Sequence, residues 1–169
     1  MISLYQASIQ PCLRTLTNLM AILAIAEEHC TARKIEPAVL LQSRLYPDML
    51  PLVRQVQIAS DTARRLAARL AGTEAPSMAD TETTFAEVQH RLAASIDYLK
   101  SLEPQLFEGS ETREVSVPTR EGELHMPGLV CALNFAIPNL YFHAVTAFAI
   151  LRHNGIEIGK KDFLGPHEA

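Results

Sequence analysis

Cysteine is scarce in this chain: three in 169 residues, Cys12, Cys30 and Cys131, an odd number without C-x-x-C spacing. Such a count offers no disulfide framework and fits a reducing, cytoplasmic setting. A secretory signal is also missing, because Met1 to Gln10 has neither a basic start nor a long apolar run. Basic excess is absent too. The formal charge of -4 and the pI near 5.8 argue against a nucleic-acid partner, which calls for a basic surface. Arg64, Arg65 and Arg69 do cluster, but they lie opposite an apolar seam, where a solvated helix face is expected.

Fingerprints of common chemistry are lacking as well. No G-x-S-x-G, P-loop or dinucleotide glycine motif occurs, and no spacing proposes a Ser-His-Asp triad. Neither an internal repeat nor a low-complexity segment is present. From Met126 to Leu151 there is no Asp, Glu, Lys or Arg. That length would permit a membrane crossing. Inside it, however, stand Asn134, Pro138, Asn139, His143 and Thr146, each costly in lipid without a partner. The expectation is a buried core helix and no membrane partner.

What remains is an ordinary globular composition, 48% hydrophobic and 20% charged, long enough to bury a core as one domain over 1–169. Ile9, Leu13, Leu16, Met20 and Leu23 follow the three-and-four spacing of a helix that ends near Arg33 and Lys34. Pro11 either begins its regular part or kinks it. Pro37, Pro47 and Pro51 punctuate a loop with room for one short helical turn. Leu52, Val56, Ala59, Ala63, Leu66 and Leu70 mark the second helix, with Asp48 as its N-cap and Gly72 as its stop. The third starts near Asp80 or Thr84, where Thr84 and Glu87 can form a capping box, and its seam is Phe85, Val88, Leu92, Ile96 and Leu99. Pro104 closes it.

The period then changes. Val115 and Val117, then Leu124 and Met126, alternate with polar residues around Thr-Arg-Glu-Gly, which predicts a short hairpin. Pro127 opens the fourth helix, Pro138 breaks or restarts it, and Asn154-Gly155 ends it. The sum is an all-α protein: an up-and-down four-helix bundle with a small β-hairpin before the last helix.

The stretch "PNLYFHAVTAFAILRHNG" is the most apolar helix, yet it carries Asn139, His143 and His153. At about 100° per residue, Asn139, His143, Thr146 and Ile150 share a face, and His153 stands about 80° to one side. The same reckoning puts Asp48 and Gln55 at the edge of the second helix's seam. If the second and fourth helices are neighbours, Asp48, Gln55, Asn139 and His143 converge on a small polar pocket, where bundles build ligand and metal sites. The plainer reading is hydrogen-bonded polar glue. Zinc wants three or four good ligands, and asparagine is a poor one. His29, His90, His125 and His167 form no second cluster, so no metal ligands are assigned, with a divalent metal left open.

The segments "LYQASIQPCLRTLTNL", "PDMLPLVRQVQIASD" and "NLYFHAVTAFAILRHNG…GKKDFLG" resemble an uncharacterised bacterial domain-of-unknown-function family. That family belongs to the DinB/YfiT-like superfamily of metalloenzymes. The resemblance implies a helical bundle and a metal held by one histidine of the second helix and an H-x-x-x-H pair of the last. It also implies low-molecular-weight thiols as co-substrates. Here the pair reads Asn139-x-x-x-His143 and the second helix has no histidine, so only His143 matches. The expected function is therefore a small-molecule pocket without the metal. A metal- and thiol-dependent transferase using Asp48, His143 and His153 is one alternative, and a non-catalytic structural or interaction protein the other. A homodimer is expected separately, because Tyr141, Val145 and Phe148 on the other side of the last helix also need cover. A hairpin lying over that face is the competing explanation.

Overall fold

Ser3 and Gln6 form a reciprocal capping box that launches α1, Leu4–Arg33, and Lys34 in the left-handed region ends it. Pro11 lies inside this helix, not at its start. The computed structural model describes residues 2–119 and 121–166; Arg120 of the hairpin turn and His167 fall outside them. After α1 comes the short helix α2, Pro37–Leu41, within the proline-punctuated loop. Next is α3, Leu52–Ala71, stopped by Gly72 at φ 69°. Its N-cap is Pro51, not Asp48. Asp48 sits in an exposed turn upstream, and the Leu52 amide is satisfied by the carbonyl of Ser43 at 2.9 Å. A backbone acceptor replaces the side-chain cap.

The expected Thr84–Glu87 box opens α4, Phe85–Ser101, and a 3-10 turn follows at Pro104–Phe107. The hairpin pairs β1, Glu114–Thr119, with β2, Gly122–Pro127, setting Val115 opposite Met126 and Val117 opposite Leu124. Val115 and Val117 are buried while Leu124 is exposed, so β1 is the strand that seals the bundle. The last long helix runs unbroken as α5, Gly128–Val130, a π-helical stretch Cys131–Ala136, and α6, Ile137–His153. Pro138 neither breaks nor restarts it. Because Pro138 has no amide proton to give the preceding turn, a widened stretch just before it absorbs the mismatch. A final short helix, α7, covers Lys160–Leu164.

One apolar core joins the four long helices, with Leu16, Ile22, Leu66, Leu92, Leu140 and Ile150 fully enclosed. α3 packs against α6 and α4, and α1 packs against the same two from the other side. The first two long helices thus face each other across the bundle, and the loop bearing α2 spans that diagonal. By length and composition Leu4–Arg33 and Gly128–His153 could each cross a membrane. Both pack into this one core, and they carry buried Ser8, Asn18 and His143.

Two docking points fix the last helix. The amides of Gly128 and Leu129 donate to the carbonyls of Arg113 and Glu111, at 2.8 and 3.1 Å, which satisfies the helix start. Gly128 passes so close to the Ser110 backbone that a Cβ would collide with its carbonyl oxygen. At the far end α7 returns to α1: Arg14 donates to the Leu164 carbonyl and Asn18 to that of Phe163, at 2.9 and 3.0 Å. Phe163 also meets Phe148 edge-on at 5.8 Å.

Candidate functional site

Because α3 and α6 are the most extensively packed pair, the polar residues on their facing edges meet. His143, 9% exposed on α6, places Nδ1 2.7 Å from Oε1 of Gln55 on α3. The Gln55 amide has a fixed orientation, since its Nε2 donates to the Leu50 carbonyl at 3.0 Å. Oε1 can only accept. Nδ1 of His143 must therefore carry the proton, and in the neutral ring Nε2 keeps a lone pair. Among the described residues the fully enclosed side-chain polar atoms without partners are Arg64 Nε and Ser110 Oγ, so Nε2 of His143, which meets no protein partner there, is not fully enclosed. Burial pulls the His143 pKa below its ordinary value and favours this neutral form.

One turn earlier on α6, Asn139 donates through Nδ2 to Oγ1 of Thr62 on α3, at 2.9 Å. This bond is to a side chain, not to backbone freed by Pro138. Asn139 and Thr62 are walls of a cleft of about 250 Å³ between α3, β1 and the π-helical stretch. His143 lies just over one turn beyond its walls, about 6 Å further along the helix axis. Of the five expected pocket residues, three form a row along the α3–α6 seam: Gln55, His143 and Asn139. Asp48 is exposed in its turn, and His153 is exposed at the end of α6. Neither joins the row.

That row does not suit a metal of the kind the resemblance implies. Two amides and one imidazole are a weak donor set for a divalent ion, and Nδ1 of the imidazole is already committed to Gln55. Among the described residues no group of three or more His, Cys, Asp or Glu is placed to hold a metal.

The arginine cluster departs from the solvated face expected of it. Arg64 is buried and pairs with Asp61 and with the carbonyl of Pro76. Arg69 reaches the hairpin, its Nε donating to the Ser116 carbonyl at 2.8 Å. Only Arg65 fits the expectation, exposed and bonded to Asp61 at 3.0 Å. Sequence reasoning missed the partner that organises them, Arg91 of α4, whose side chain is 1% exposed. Arg91 bonds Asp61, Asp80 and Glu82 at 2.7 to 2.9 Å, and its Nε donates to Ser60 at 3.1 Å. Burial opposes its charge, but the carboxylates outweigh burial and hold its pKa above the ordinary value. The signal was available: Arg91 falls between the seam residues Val88 and Leu92, where an arginine needs acids.

The family described as Domain of unknown function (DUF1993) matches residues 4–164. A crystal structure of a DinB family member from Shewanella denitrificans is similar over nearly the whole chain. The two are 44% identical with a TM-score of 0.91, over 98% of this chain and 95% of that one. No functionally curated protein matches the chain.

Proposed function

This chain belongs to the DUF1993 family, a domain of unknown function with a DinB-like helical bundle, and from that premise we propose that it binds a small molecule along the α3–α6 seam without a metal. The observation that carries the reading is the Gln55–His143 pair. A buried imidazole locked in one tautomer, with Nε2 not fully enclosed, is a proton acceptor held ready for whatever occupies the neighbouring cleft. The ending Leu151–Gly165 is, on this reading, the family's mark, since Gly165, Leu164 and Phe163 dock the chain end onto α1. We place the protein in a bacterial cytoplasm, on three unpaired buried cysteines and the Shewanella relative.

A metal assay tests the reading. Purified protein should carry far less than one zinc, nickel, manganese or iron per chain after dialysis. One equivalent retained, and lost in His143→Ala, would overturn the metal-free pocket and restore the transferase alternative.

A second proposal concerns assembly: the protein pairs as a homodimer through the outer face of the last helix. Tyr141, Phe142 and Val145 remain 39%, 59% and 49% exposed, and Leu129, Val130 and Leu133 continue the apolar strip. The hairpin packs on α3 and leaves these residues uncovered. Phe148 is not part of the strip, because Phe163 covers it.

A further inference from the structure

Five charged side chains line the cleft beside Asn139: Arg54, Arg65, Arg69, Asp61 and Asp80. Arg54 bonds Asp80 at 2.5 Å, and Arg65 bonds Asp61 at 3.0 Å. Both aspartates are further claimed by Arg91 from behind. Arg69 is left over. Its Nε is fixed by the Ser116 carbonyl, and its two terminal nitrogens meet no acceptor among the described residues. Burial pulls its pKa below the ordinary arginine value, and the groups acting on its charge are the Cys131 thiol and Arg65, with no carboxylate. A half-buried guanidinium whose terminal nitrogens face a cleft without a counter-ion is placed to take an anion there.

The rest of the cleft says what that partner looks like. Ile58, Val117, Pro118 and Phe135 give it apolar lining beside the charge. Asn139 has spent one N–H on Thr62 and keeps the other, with its carbonyl, for a second polar group. Arg54 and Arg65 face aspartates across the cleft, so Arg69 is the lining arginine left to meet an anion, and a single guanidinium fork matches one carboxylate. The volume of about 250 Å³ falls below that of drug-sized sites, so the occupant is small.

We propose that this cleft binds a small carboxylic acid, its carboxylate forked by the terminal nitrogens of Arg69 and its apolar body against Phe135 and Val117. The proposal rests on reading the α3–α6 seam as a ligand site, and it names the ligand class. Arg69 suits the task because a guanidinium presents two parallel N–H donors to a carboxylate, and its Nε is already anchored. Specificity follows from the apolar lining: an acid with a flat or branched apolar body fills the space, and a bare inorganic anion does not.

Benzoate, benzamide and inorganic phosphate, each titrated into the full chain and followed by amide and imidazole NMR, test this directly. Benzoate should shift Thr62, Arg69, Val117 and Phe135 saturably, with benzamide and phosphate at least about ten-fold weaker. Arg69→Gln should weaken benzoate by a similar factor. Benzamide or phosphate binding as tightly as benzoate overturns the proposal, as does an unchanged affinity in Arg69→Gln or no saturable benzoate shift at all. The benzamide comparison uses unaltered protein, so it decides even if Arg69→Gln fails to fold for want of its Ser116 bond. The His143 ring separates this proposal from the reading beneath it. Benzoate shifts confined to the Arg69 end would keep the acid site and remove His143 from the pocket. Shifts at His143 from benzamide but not from benzoate would keep the pocket and sink the acid.

Discussion

At His143 one neutral hydrogen bond sets the chemistry. Gln55 accepts from Nδ1 without adding charge, so burial is free to lower the pKa from its ordinary 6.5. As pH falls, the unfolded chain takes up this proton first. Stability should therefore be unaffected above about pH 6.5 and decline below it, down through the folded value. Melting curves from pH 7 to 5 should show His143→Gln losing less stability than the unaltered protein; identical slopes would contradict the burial of the neutral ring. Gln55→Glu should act in the opposite direction. A carboxylate at the same distance favours the imidazolium, and the His143 pKa should rise by about 1 unit or more in an NMR titration. The histidine was legible in the sequence as a misfit on an apolar helix. Its partner was legible only conditionally, because which helices are neighbours is decided by packing, and a helix-edge glutamine points outward as readily as inward.

At the scale of elements, the connection from Gly72 to Thr84 is held down by charge. Arg91 ties Asp80 and Glu82 of this segment to Asp61 of α3, and Gln57 adds a bond to Glu82 at 2.7 Å. Removing the cation leaves the largely enclosed Glu82 with Gln57 alone, while Asp61 keeps Arg64 and Arg65 and Asp80 keeps Arg54. Arg91→Met should cost about 3 to 5 kcal/mol in urea unfolding, the usual penalty for breaking a buried pair from one side. A loss within about 0.5 kcal/mol, typical of neutral surface changes, would show that the network carries no stability. Gly155 offers a gentler test. It has φ 84° after Asn154, and open space surrounds it, so Gly155→Val meets backbone strain alone. A cost of about 1 kcal/mol or more is expected, and an unchanged melting temperature would speak against the left-handed turn. Helix limits, capping boxes and the hairpin are visible in the sequence because they depend on neighbours within a few positions. Asp48 was misplaced because a backbone carbonyl from Ser43 can cap a helix and leaves no mark in the local pattern. Arg64 was misplaced for a similar reason, since a backbone carbonyl, that of Pro76 in the following connection, accepts from it and leaves no mark in the helix pattern.

At the scale of the whole molecule, the uncovered strip on the last helix makes the association state a measurable expectation. Sedimentation at micromolar concentration should give twice the mass of the 18.7 kDa chain. Phe142→Glu should return the monomer mass, as Phe142 is exposed and lies outside the core. A monomer in the unaltered protein would end the dimer proposal. Arg64, enclosed in the ion network, is no neutral surface control, whereas Lys160 on exposed α7 is one. The bundle could be anticipated from periodicity, but which of its faces remains bare could not, because α7 covers Phe148 from a segment with little pattern of its own.

The clasp of α7 on α1 also has a consequence for synthesis on the ribosome. Arg14 and Asn18 find their acceptors 150 and 145 residues downstream, and α1 completes its packing only when α6 and α7 exist. At ordinary translation speeds that interval is on the order of ten seconds. Until then, the apolar side of α1 lacks its closing wall. The nascent chain should accordingly be a chaperone client until α7 has emerged, and the α1–α7 clasp should be among the last contacts to form.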